Sequence, residues 1–123
     1  MTPGPTEASA RMPERASTRA KPRGPARHEL PVIDDLALAA ARDADRLLAG
    51  ARERGATRWV TFLEPIPDHL RDDEPTALRA TAVRARAAYG PKDSIRDAVA
   101  PELTEPFLDA LDRLIRTLDR YRA

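Results

Sequence analysis

The feature that most constrains this chain is the spacing of apolar residues in its last twenty positions. Phe107, Leu111, Leu114, Leu118 and Tyr121 follow one another at intervals of four, three, four and three. That spacing is one stripe of an α-helix, and Leu108 and Ile115 widen it on one side. Asp109, Asp112, Arg113, Arg116, Asp119 and Arg120 take the other faces. Asp109–Arg113 and Asp112–Arg116 stand four apart with the acid first, the favourable orientation for intrahelical pairs. Thr104 has the hydroxyl of an N-cap, followed by Glu105 in the first turn and Pro106 where a missing N–H costs nothing. The expected helix is therefore 104–122. A stripe this apolar needs a surface to cover it, and the rest of the chain is read for that surface.

The first candidate cover begins after Leu30-Pro31-Val32-Ile33. Asp34 is the expected N-cap and Gly55 the residue that ends the helix, giving a span of about 34–54. Its inner face is Leu36, Ala40, Ala44, Leu47, Leu48 and Ala51, with Ile33 stapling the first turns. So many alanines allow another helix to come close. Thr57–Leu63 carries the strand formers Trp59, Val60, Thr61 and Phe62. With no other strand-like run to pair with, a strand there would leave backbone groups unpaired. A short helix that places Trp59, Phe62, Leu63 and Ile66 on one face is the better reading, with Trp59 and Phe62 plugging the core. Pro65-Ile66-Pro67 reads as a rigid turn, and Asp68 as the cap of a single turn holding His69 and Leu70. Asp72-Asp73-Glu74-Pro75 opens a helix over about 75–89 that stops at Gly90-Pro91. Its inner face is Leu78, Ala82, Ala85 and Tyr89. Asp93 then caps a short helix, 94–99, with Ile95 and Val99 inward.

The expected architecture is all-α: a small bundle of three main helices with short connecting helices, forming one domain over 30–123. Residues 1–29 contain five prolines and one apolar residue larger than Ala after the initiator, Met12. They read as a disordered tail, because such a segment buries too little to offset the entropy of ordering it. Met12 is an alternative start. The tail carries six Lys/Arg against three Asp/Glu, and the domain fifteen against seventeen. The whole chain is at +1, so its overall charge makes no case for nucleic acid or an anionic membrane. With no cysteine there is no disulfide, thiol nucleophile or thiolate metal site. No apolar run approaches the ~20 residues of a membrane helix, and no apolar stretch of a signal peptide opens the chain. A cytoplasmic protein is expected. Nineteen of the twenty-one basic residues are Arg and alanine is abundant, a bias of GC-rich bacterial coding.

Candidate chemistry is sparse. His69 and Asp73 are spaced to share a metal on a helix, but one His with carboxylates and no second His or Cys is a poor ligand set. The acidic pairs Asp34/Asp35, Asp43/Asp45 and Asp72/Asp73/Glu74 lack the pocket context that pushes carboxyl pKa values apart, and the first and third sit where helix starts attract acids. There is no Gly-rich phosphate loop, G-x-S-x-G or H-E-x-x-H. The sequence therefore points to a non-catalytic interaction or regulatory protein without cofactor or metal. Its expected contact is the seam Leu111, Leu114, Leu118 and Tyr121, offered to a second copy or to another protein's helix. The alternative is a helix-turn-helix-like nucleic-acid binder, using Arg79, Arg86, Lys92, Ser94 and Arg96 around the Tyr89-Gly90-Pro91 turn.

Overall fold

A computed structural model describes residues 25–122, and all regular structure among them is helical. The long helices arise where the apolar spacing is helical and the ends are marked by proline. Helix α1 is Pro31–Glu53, α2 Thr57–Leu63, α3 Ile66–Asp72, α4 Pro75–Arg86 and α5 Pro101–Arg122. Single 3-10 turns lie at Arg27–Glu29, Ala87–Tyr89 and Ile95–Asp97. The all-α class is as expected, but three main helices do not describe it. The short α3 contributes Ile66 and Leu70 to the core as fully as a long helix would.

Several boundaries differ from expectation for one recurring reason. Proline sits best at the first helical position, where φ near −65° is wanted and no N–H is needed. Thus α1 starts at Pro31, and its cap residue Leu30 supplies only its backbone. Asp34, expected as the cap, lies in the first turn and pairs with Arg27 instead. Likewise α5 starts at Pro101, where the Ala100 carbonyl accepts the N–H groups of Leu103 and Thr104. Thr104 is therefore interior and fully buried, and its hydroxyl donates to Glu105 rather than capping. Pro106 falls inside α5. The carbonyl its absent N–H would have met is that of Glu102, an exposed first-turn residue that water can serve. Pro67 lies in the first turn of α3, so the Pro65–Pro67 segment starts a helix rather than making a rigid turn. Asp93 does not cap. It adopts φ 52°, and the Ser94 hydroxyl accepts the Arg96 N–H to begin a 3-10 turn in place of the expected helix. Gly55 is at φ 68° and ends α1 as anticipated.

The core lies between α1 and α5, the most extensively packed pair, with α3 and α4 closing it. Ala37, Ala40, Ala41, Ala44 and Ala51 on α1 are at most 1% exposed, as is Leu47. Small side chains let α5 approach so closely that a Cβ on Gly50 would stand 2.4 Å from Leu103 Cδ1. Phe107, Leu111, Leu114 and Leu118 fill the space from the α5 side, and Phe107 is the largest fully buried side chain. Trp59 joins the core through α2, with Phe62 edge-on at 5.7 Å and the Arg58 guanidinium 4.7 Å from the indole. Each leucine so buried contributes about 1.5–3 kcal/mol of transfer free energy.

The expected disordered tail, 1–29, lies mostly outside the described residues, as does the choice between Met1 and Met12. Its last residues are part of the fold. Leu30 is preceded by the Arg27–Glu29 turn, and Arg27 is buried.

Candidate interaction face

The seam expected to face a partner is largely turned inward. Leu111 and Leu114 are fully buried and Leu118 nearly so, all in the core of the one chain. This corrects their expected role, because α1 and α4 together cover a stripe that α1 alone is too narrow to cover. Tyr121, one turn past Leu118, runs beyond the edge of that cover and is 54% exposed.

The outer side of α5 carries a ladder of ion pairs that the sequence reading missed. Glu105, Asp112 and Asp119 stand seven residues apart, two turns each, and so share a face. Arg79 and Arg86 are also seven apart on α4. The two helices run antiparallel, so Arg79 meets Asp119 and Arg86 meets Asp112. The Arg79 Nε donates to Asp119 Oδ1 at 2.7 Å, and the Arg86 Nε donates to Asp112 Oδ1. Beyond the turn, Arg96 grips Glu105 with two bonds of 2.9 and 2.8 Å. The equal seven-residue spacing of acids and arginines was the available signal. It was masked by the nearer i,i+4 partners, and Asp112 reaches across to Arg86 rather than along to Arg116.

The ladder favours the charged forms of its arginines and of Glu105. Hydrogen bonds to their carboxylates keep Arg79, Arg86 and Arg96 above the ordinary guanidinium value. The Arg96 hydrogen bond, helped by the Thr104 hydroxyl, lowers Glu105 below its ordinary 4.5. Tyr89 closes the end of the ladder. Its hydroxyl donates to the Thr104 carbonyl, and the Arg96 guanidinium lies 5.4 Å from its ring. Burial, then the nearby Glu105 carboxylate, drives its phenol well above the usual tyrosine value.

Two apolar residues fall, by register, between the two α4–α5 rungs. Val83 lies four residues after Arg79 and three before Arg86, and Ile115 lies three after Asp112 and four before Asp119. Val83 is 45% exposed and Ile115 half-buried.

The residues expected to touch nucleic acid are thus differently employed. Arg79, Arg86 and Arg96 are bound to carboxylates, Ser94 caps a 3-10 turn, and Lys92 alone of the set is exposed without such a partner. The element that would enter a groove, Ile95–Asp97, is three residues long, less than one turn of recognition helix. His69 Nδ1 lies 3.1 Å from Asp73 Oδ1 as its spacing implied, and among the described residues no cluster of three or more His, Asp or Glu is arranged to hold a metal. Among those residues no helix is long and apolar enough to cross a membrane. No protein-family model matches the chain, and no curated protein or solved structure is significantly similar to it.

Proposed function

We propose that this chain is a non-catalytic helical interaction protein whose contact face is the α4–α5 seam. One observation carries the reading: exposed Val83, with Ile115 beside it, sits between two ordered Arg–carboxylate pairs. An apolar centre with a charged rim is the anatomy of a protein interface, and the rim restricts which surfaces can dock. The occupant that fits by symmetry is the same face of a second copy. Such a face carries two arginines and two carboxylates, so a second copy docked about a two-fold axis meets no net like charge. The alternative of a nucleic-acid-binding regulator draws less support, because three of its four cations are already neutralised.

The test is solution mass by light scattering over a range of protein concentrations, at low and high salt. A concentration-dependent dimer that Val83→Asp converts to monomer is expected, with the variant's melting temperature close to wild type because Val83 is outside the core. A wild-type chain that stays monomeric at every concentration and salt would overturn the self-association reading.

A further inference from the structure

Arg27 is the only charged residue that is buried among the described residues. Three helix ends meet on it. Nε donates at 2.8 Å to Oδ1 of Asp34, in the first turn of α1. Nη1 donates at 3.0 Å to the carbonyl of Asp73, the residue that closes α3. The Arg27 backbone N–H donates at 2.8 Å to Oε1 of Glu74, the residue before α4. Nη2 is buried with no acceptor among the described residues. The backbone around Arg27 is closed locally. The Glu29 N–H donates to the Ala26 carbonyl and the Leu30 N–H to the Arg27 carbonyl, making one 3-10 turn. Leu30 is the only buried apolar side chain between Pro25 and Pro31.

We propose that residues 26–30 are a latch: they open from the bundle as a unit while α1, α3, α4 and α5 stay folded, and Arg27 is the catch. The segment is held mainly by hydrogen bonds. Such a bond replaces one to water, so its net contribution is small, and an unmatched buried donor counts against the closed state. Opening returns the whole guanidinium to water. Leu30 alone opposes it by the hydrophobic effect, whereas α1 and α5 are joined by rows of buried apolar side chains. A segment with one apolar anchor belongs to the low-stability end of a fold. The corner that Arg27 leaves keeps ties of its own. Thr81 donates to Asp73 Oδ2 at 2.9 Å, and His69 Nδ1 stands 3.1 Å from Oδ1. The hinge is the junction of Leu30 with Pro31, where α1 begins. Closed, the latch fixes the chain at Pro25 against the α3–α4 corner. Open, it frees that direction and uncovers the seat of Leu30 and the Asp73 carbonyl. The latch includes neither Val83 nor Ile115, so its failure and that of the α4–α5 face are separate results.

The test is native-state amide hydrogen exchange of the full chain in rising urea, below the unfolding transition. The Arg27, Glu29 and Leu30 amides are expected to share one protection factor, at least about tenfold below those of Leu111 and Leu114 in α5. That factor should respond little to urea, because a local opening exposes little surface. Latch amides with the protection and urea slope of the α5 amides would overturn the proposal. Arg27→Met then removes the fork and keeps an unbranched side chain. It should strip protection from Glu29 and Leu30. Protection of the α5 amides should fall by no more than the factor that protected the latch in wild type, since only the closing of the latch is lost. A larger fall, or a variant that does not fold, would show that Arg27 is integral to the bundle. Latch protection unchanged or raised in Arg27→Met would show that Arg27 is not the catch.

Discussion

Truncating Leu114 to alanine separates a core role from a partner-facing one. Leu114 is at 0% exposure in the centre of α5, with Leu111 and Leu118 buried on either side of it. Removing its isobutyl group forfeits the transfer free energy of the lost methylenes and leaves a cavity, together about 2–5 kcal/mol for a buried leucine. A domain of this size shifts by roughly 4–8 °C per kcal/mol, so the melting temperature should fall by about 8 °C at least and by over 20 °C at the upper end. Against a total stability of about 5–15 kcal/mol the larger value is enough to unfold a good part of the population. The assay is thermal denaturation by circular dichroism at two protein concentrations tenfold apart, with light scattering on the same samples. The drop should be the same at both concentrations, because the lost contacts are intramolecular. Tyr121→Ala, at the exposed end of the same stripe, should stay within about 0.5 kcal/mol of wild type. A Leu114→Ala melting temperature within about 2 °C of wild type, with a change in solution mass, would refute the packing described and return Leu114 to an intermolecular surface.

Two further outcomes follow from the structure. Gly50→Ala would ordinarily stabilise a helix interior by about 0.5–1 kcal/mol, but its Cβ would lie 2.4 Å from Leu103 Cδ1. That atom is the terminal methyl of a half-buried side chain, which can turn aside at modest cost, so the gain in wild type should be smaller than in a Leu103→Ala background; additive effects in that double-mutant cycle would show that the helices are not in contact there. The second outcome concerns pH. Arg96 holds the folded-state pKa of Glu105 below 4.5, so the unfolded chain binds the proton more readily and acid favours unfolding. Its stabilisation is complete above 4.5 and is lost as pH falls through the lower folded value. The stability gap between wild type and Glu105→Gln should therefore be present at neutral pH and close in acid, and a gap constant with pH would contradict the Arg96 pairing.

The helices that could be read from the sequence were those with a full apolar stripe. The 4-3-4-3 run of α5 and the alanine face of α1 carry their periodicity in side-chain type alone. Thr57–Leu63 was legible by elimination, because a lone strand has nowhere to send its backbone hydrogen bonds. The misread boundaries are places where two local signals compete. At Asp34 and Thr104 a capping side chain stood a few residues inside a proline, and the proline started the helix. Ile66–Asp72 was hidden because two prolines suggest a turn until the first is seen to precede the helix and the second to occupy its first turn.

The interaction surfaces were illegible for a different reason: they depend on which residues distant in sequence come together. Arg79 and Asp119 are forty residues apart, and only the antiparallel alignment of α4 and α5 makes their spacing a ladder. Arg27 looked like one more cation of a solvated tail, and only the meeting of α1 with the α3–α4 corner gives it three acceptors. The sequence by itself determined the helical class, the four core positions from Phe107 to Leu118 and the small-residue face that receives them. Those follow from the period of the helix and the sizes of side chains. The tertiary structure alone decided that this stripe is satisfied within one chain, which arginines are paired and where a buried guanidinium is left incomplete, because helix direction and crossing set contacts that no local window contains.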